Sequence, residues 1–218
     1  MAFFVAGTGT DVGKTIFSAL MMARYARQKN LRYLKPVQTG EVSDRETIAR
    51  LTNLDATFFQ PEICSFKLAA SPHFAAESEN ARIDTGHLTA TLQTLRGQKV
   101  VIELAGGLMV PLSRYFTNLD LIRAVALPTV LVAATGLGTI NHTVLSVRAL
   151  QEAGTALAGI YFIGHDNPLA ADNIKTITEM TGARFLGKFL LPETHMSAAE
   201  FLKAAEACDP DDELAGLI

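Results

Sequence analysis

The chain has 218 residues, 49% of them hydrophobic, with 19 Lys and Arg against 22 Asp and Glu, for a formal net charge of -3. That size and composition describe one globular α/β domain spanning residues 1–218, long enough to bury a core without a disulfide or a structural metal. A slightly acidic chain with no block of Lys or Arg gives nucleic acid or an anionic membrane no electrostatic footing, so small-molecule chemistry is the default.

The first apolar run, Phe3–Val5, reads as a buried strand; it has no basic flank and ends too soon to be a leader, and the expected location is cytoplasmic. Gly7-Thr8-Gly9-Thr10-Asp11-Val12-Gly13-Lys14-Thr15 follows, and an amphipathic helix is expected over Lys14–Lys29. A glycine-rich loop between a strand and a helix is where a phosphate-binding loop belongs. Its glycines let backbone N–H groups turn inward, and the helix N-terminus adds partial positive charge. Lys14 would reach the β- and γ-phosphates and Thr15 would ligate Mg²⁺. Five residues separate Gly7 from Gly13, one more than in the general pattern.

A second strand, Tyr33–Val37, carries Lys35 into Pro36-Val37-Gln38-Thr39-Gly40. A second lysine at the same crevice would hold a substrate anion beside the γ-phosphate, with Thr39 and Gly40 as small donors; the alternative is a solvated strand-end lysine. Ser43-x-x-Glu46 reads as a capping box opening a helix over 43–53. Asp44, next to the cap, either offsets the helix dipole or ligates a metal. Residues 54–83, with Pro61 and Pro72, form the least regular stretch and a candidate substrate loop. Cys64 and Cys208, far apart and in no CxxC pair, read as reduced thiols.

A helix over Thr85–Arg96 leads to the strand Val100–Leu104, in which Glu103 precedes Ala105-Gly106-Gly107. A carboxylate at the carboxyl end of a parallel strand faces the ligand crevice and supplies a hard oxygen for Mg²⁺. The apolar stretch Ala124–Ala134 is interrupted by Pro128 and followed by Gly136 and Gly138, so it is not a membrane span. Strand Val130–Ala134 runs through Gly136-Leu137-Gly138-Thr139-Ile140-Asn141-His142 into a helix over Asn141–Ala153. That second helix start suits a carboxylate, or is a plain turn with a polar cap. Strands Ala158–Ile163 and Arg184–Phe189 then alternate with helices Ala170–Met180 and Ser197–Glu206, the last opened by the capping box Ser197-x-x-Glu200. Short apolar runs alternating with amphipathic helices predict a mostly parallel sheet with helices on both faces, of the P-loop NTPase type. His73, His87, His142, His165 and His195 share no metal-ligand spacing; the last, with His87 and His165, reads as a surface position.

Taken in order, the long-spaced loop Gly7–Thr15, Lys35–Gly40, Ser43-Asp44, Ser71-Pro72-His73, Glu103-x-Ala105-Gly106-Gly107-x-x-x-Pro111-Leu112-Ser113 and Gly136–His142 resemble the motifs of dethiobiotin synthetase. The resemblance covers the chain from Phe4 to about Gly164. It implies an ATP- and Mg²⁺-dependent ligase of biotin biosynthesis that closes a cyclic urea from 7,8-diaminononanoate and CO2, through a carbamate and a carbamoyl phosphate. Carried over residue by residue, Gly9, Thr10, Asp11, Val12, Gly13, Lys14 and Thr15 would bind ATP. Lys14 would hold the phosphates and Lys35 the carbamate, with hydrogen bonds from Thr10 and Thr39. Thr15, Asp44 and Glu103 would form the Mg²⁺ shell. Family members are homodimers, and Gly138, Thr139 and Asn141 would hold the diamine's carboxylate from the partner's side. In this chain Leu104 stands where the family often has glycine, Asp11 where it has Glu, and the adenine-reading Asn expected near Ile163 is absent. The main rival is a partitioning or septum-positioning ATPase of the same fold class, whose extra loop lysine would fall at Gly9.

Overall fold

A computed structural model describes residues 1–193, 196–209 and 212–218; the reading of His195 as a surface position lies outside the described residues. In chain order the elements are β1 (Phe3–Gly7), α1 (Lys14–Lys29), β2 (Arg32–Leu34), β3 (Val37–Thr39), α2 (Asp44–Thr52), β4 (Cys64–Phe66), α3 (Pro72–Ser78), α4 (Thr85–Gln93) and β5 (Val100–Gly107). There follow β6 (Pro111–Ser113), β7 (Phe116–Thr117), α5 (Asn118–Val125), β8 (Thr129–Ala134), α6 (Thr139–Glu152), β9 (Leu157–His165), α7 (Ala170–Thr181), β10 (Phe185–Leu191) and α8 (Ala198–Glu206).

Six strands form one sheet in the order β10-β9-β8-β1-β5-β2, and every pairing in it is parallel. Alternation along β1 explains why both faces are covered: Phe3 and Val5 enter one core with residues of α1, α2 and α8, whereas Phe4 and Ala6 enter the other with residues of α3 to α7. This continuous apolar run is what a doubly covered strand requires. The chain leaves β1 toward β2 and β5 on one side and later adds β8, β9 and β10 on the other. The crevice beyond the carboxyl end of β1 is therefore the topological switch point where ligands bind in such sheets.

Helix α1 has the predicted bounds; Asn30 closes it in the left-handed conformation, as Asn53 closes α2. Ser197 forms the predicted capping box with Glu200. At Ser43 only the half in which its hydroxyl accepts from the Glu46 N–H is present among the described hydrogen bonds.

Several expectations are corrected. The single strand over Tyr33–Val37 is two strands in different sheets: β2 stops before Lys35-Pro36, and β3 pairs with β4. Pro36 has no N–H to extend the ladder with β5, so the chain leaves the large sheet there. Glu103 does not end its strand, because β5 continues to Gly107 beside Gly7. Leu104 is accommodated by facing the core opposite Glu103. The helix predicted from Asn141 begins at Thr139, and the one predicted to Arg96 ends at Gln93. The stretch 54–83 holds a 3-10 turn, β4 and α3 rather than an open loop. Its regularity comes from pairing with β3, a partner 27 positions back at Val37↔Cys64 that local pattern does not reveal.

Candidate active site

The loop between β1 and α1 is too tight for side chains at two of its glycines. A Cβ on Gly7 would lie 2.7 Å from the Gly9 carbonyl oxygen, and one on Gly13, whose φ is +96°, would lie 2.6 Å from Ile163. Lys14 folds back across the loop and donates from Nζ to the Gly9 oxygen at 2.9 Å. Burial pushes its pKa down to about 8, with Lys35 acting in the same direction and Glu103 against it. In the free protein the ammonium therefore empties as pH rises through 8, and binding a polyphosphate must refill it. Nucleotide binding above pH 8 is thus expected to take up a substantial fraction of a proton, and affinity to fall as pH rises further. Calorimetry in buffers of unequal ionisation enthalpy measures this; zero uptake would show that Lys14 is already charged. Lys14→Arg should abolish the uptake.

Glu103 is the centre of the second group. It projects from β5 to the face that carries Val101, directly under the first turns of α1, and is fully buried. Its Oε1 accepts from Thr15 Oγ1 at 2.9 Å and from Lys35 Nζ at 3.2 Å. Its Oε2 accepts from Ser18 Oγ at 2.8 Å and from the Tyr33 hydroxyl at 3.1 Å. Thr15 Oγ1 also lies 2.8 Å from Asp44 Oδ1, and Lys35 Nζ lies 2.7 Å from Asp44 Oδ2. Tyr33 and Lys35, two residues apart on an extended chain, reach the same face. Burial works to lower the pKa of Lys35, but the carboxylates of Glu103 and Asp44 outweigh it and the net direction is up. Burial and the charge of Glu103 hold the Tyr33 phenol well above its ordinary pKa, so it acts as a donor.

Asp44 reaches this group because Gln38 folds the preceding loop. Gln38 Nε2 donates to the carbonyls of Thr39 and Val42, and its Oε1 accepts from the Asp44 N–H. Lys14, Thr15, Lys35, Asp44, Glu103, Thr10 and Thr39 thus line one cavity of about 430 Å³. It adjoins a second of about 440 Å³, which shares Thr10, Thr39, Ala105 and Gly106 and is otherwise walled by Ala69, Ala70, Ser71, Pro72 and Val110. Part of the candidate substrate stretch therefore does line a cavity.

A family model described as an AAA domain matches residues 1–198. The ATP-dependent dethiobiotin synthetase BioD of Leptospira interrogans (serovar copenhageni) is 45% identical over 214 residues, covering 98% of this chain and 96% of the relative. The chain belongs to the dethiobiotin synthetase family. That of Nitrobacter hamburgensis is 41% identical, covering 93% and 91%. Among solved structures, a ParA family ATPase from Chlorobium tepidum matches with a TM-score of 0.55 at 9% identity, covering 99% of this chain and 94% of that one. At that identity the match shows the P-loop NTPase fold alone, so it lends nothing to the partitioning reading.

Within this family member Asp11 and Gly13 also line the phosphate crevice, whereas the residues read from the second helix start, Gly138, Thr139 and Asn141, do not. Gly138 caps α6 in the left-handed conformation, and Asn141 is exposed on the first turn. The Thr139 hydroxyl is turned inward, donating to the Ala134 carbonyl at 2.6 Å and meeting Thr143 at 3.3 Å. None of the three lines the cavity that holds Lys14 and Lys35. Asn167, the asparagine nearest the end of β9, is engaged by its own loop and by Thr135 after β8: Nδ2 donates to Thr135 and to the His165 carbonyl, and Oδ1 accepts from the Leu169 N–H. Sequence reading missed Ser18, Tyr33 and Gln38. Ser18 had one signal, its i, i+3 spacing from Thr15 on a helix facing the sheet; Tyr33 had its i-2 spacing from Lys35.

Proposed function

We propose that this chain, an ATP-dependent ligase by family, makes dethiobiotin as one domain over residues 1–218. One amine of 7,8-diaminononanoate bonds to the carbon of CO2 and loses a proton, giving a carbamate. A carbamate oxygen then attacks the γ-phosphorus of ATP and ADP departs. The second amine attacks the carbamoyl carbon, loses its proton and expels phosphate as the cyclic urea closes. The observation that carries this reading is the meeting of two buried lysines, Lys14 at the start of α1 and Lys35 just past the end of β2, on one cavity that adjoins a groove walled mainly by small and apolar residues. Such a groove suits a methylene chain, and the paired cations suit two anions that must approach each other.

The loop from Gly9 to Thr15 would bind the triphosphate, Lys14 would neutralise its β- and γ-groups, and Lys35 would hold the carbamate, helped by Thr10 and Thr39. Thr15 Oγ1 lies within 3 Å of one oxygen of each of Asp44 and Glu103. An all-oxygen set of this kind fits Mg²⁺, a hard cation with oxygen ligands. Bound there, Mg²⁺ would supply neutralisation of phosphate charge. That Gly138, Thr139 and Asn141 are not among the residues lining the cavity of Lys14 and Lys35 supports a homodimer in which they serve the partner's site, Thr139 through its backbone. Among the described residues no helix is long and apolar enough to cross a membrane. A cytoplasmic location is part of the proposal and rests on the family's biosynthetic role.

Phosphate release measured with diamine, bicarbonate, Mg²⁺ and ATP tests the reading: it should require both carbon substrates and match dethiobiotin formed. Release independent of the diamine would overturn it. Asn141→Ala should weaken the diamine KM while sparing ATP binding, since its amide would face only the carboxylate. Equal loss for both ligands, or a fully active monomer, would remove the dimer.

A further inference from the structure

The two oxygens of Glu103 live in different environments, and the difference falls on Tyr33. Oε1 faces the crevice, where it meets the Thr15 hydroxyl and the Lys35 ammonium. Oε2 faces the interior, where its two described donors are neutral hydroxyls, Ser18 Oγ and Tyr33 OH. A fully buried carboxylate oxygen left without donors is costly, so these hydroxyls decide which way the group can turn. Tyr33 is packed in place: it is fully buried, pairs through its backbone with Val101, and its ring packs edge-on against Phe59 at 6.0 Å between centroids.

We propose that Tyr33 is a positioning residue, which with Ser18 anchors Glu103 Oε2 in the interior so that the carboxylate offers a single oxygen, Oε1, to a bound cation. This rests on the proposed role of Glu103 as a metal ligand. One-oxygen presentation matters because Mg²⁺ demands compact octahedral geometry, whereas Ca²⁺ takes six to eight oxygens and readily accepts a bidentate carboxylate. Freed from Tyr33, the carboxylate could turn both oxygens outward, which favours the larger ion. Outer partners that orient a metal ligand are typically worth 10- to 100-fold in metal affinity.

Tyr33→Phe keeps the ring and removes only the hydroxyl, and Ser18→Ala removes the other donor if the first variant folds poorly. ADP binding is measured calorimetrically in EDTA, in Mg²⁺ and in Ca²⁺, with no turnover involved. Each variant should bind ADP in EDTA like the parent, lose about tenfold in the Mg²⁺-dependent increment, and shift its preference toward Ca²⁺. Glu103→Gln is the reference and should lose the Mg²⁺ increment as well. If Glu103→Gln loses the increment while Tyr33→Phe and Ser18→Ala keep both the increment and the Mg²⁺ over Ca²⁺ preference, the positioning role is overturned and the metal reading stands. If Glu103→Gln changes nothing, the metal reading fails and the inference with it. Equal losses in EDTA and in Mg²⁺ would show a merely structural hydroxyl and also overturn it.

Discussion

Lys35→Gln is expected to bind Mg²⁺-nucleotide with an affinity at least equal to the parent's while forming dethiobiotin at least a hundredfold more slowly. A carbamate and a γ-phosphoryl group are both negative and repel as they approach. An ammonium at about 4 Å, at an effective dielectric near 20, contributes roughly 4 kcal/mol of attraction before desolvation, which at about 1.4 kcal/mol per decade exceeds a hundredfold. The parent holds this charge ready, because Lys35, itself buried, lies in ion-pair contact with Asp44 at 2.7 Å and Glu103 at 3.2 Å. The same contacts carry a second consequence: with the cation gone, two carboxylates face each other uncompensated, and the variant should melt lower without Mg²⁺ than with it. Nucleotide binding survives since Lys14 and the loop backbone are untouched. Product formation at the parent rate would remove the carbamate-holding role. Loss of nucleotide binding equal to the loss of product would instead make Lys35 part of the ATP site.

Lys14→Ala is expected to abolish ATP turnover altogether, by several orders of magnitude. Phosphoryl transfer depends on positioning and on neutralising charge that spreads over the transferring oxygens, and water cannot occupy the ammonium's place with equal charge. The geometry adds a structural effect. Lys14 Nζ also bonds the Gly9 carbonyl across the loop, so its removal loosens the loop that presents the backbone N–H groups. Single-turnover measurements with saturating ATP separate the two: a chemical role keeps the rate low however much nucleotide is bound, whereas a purely structural one is rescued by saturation. A near-normal rate at any concentration would reject the loop assignment.

Much of this protein was legible as local pattern. Phe3–Val5, the glycine loop and the helix over Lys14–Lys29 are contiguous, and each is governed by interactions within a few residues: alternation, backbone freedom at Gly7 and Gly13, and 3.6-residue periodicity. The candidate metal and phosphate residues were legible for the same reason, since strand ends and helix starts announce the crevice of a parallel sheet. The break at Pro36 is an instructive case, because the residue that causes it was visible but its consequence depended on where β4 would pair.

What local pattern could not carry was decided by distant partners. The donors that hold Glu103 come from 85 positions away at Ser18 and 70 away at Tyr33. Lys35 reads in the sequence as either a solvated strand-end cation or a substrate holder, and only the approach of Glu103, 68 positions on, makes it a buried ion-paired group. The physical reason is common to both. Short-range sterics and hydrogen bonding set which element a segment forms, and hydrophobic periodicity sets which face it buries. The ionisation, orientation and partners of a buried polar group are instead set by whatever atoms close-packing brings within about 3 Å of it, and those come from anywhere in the chain.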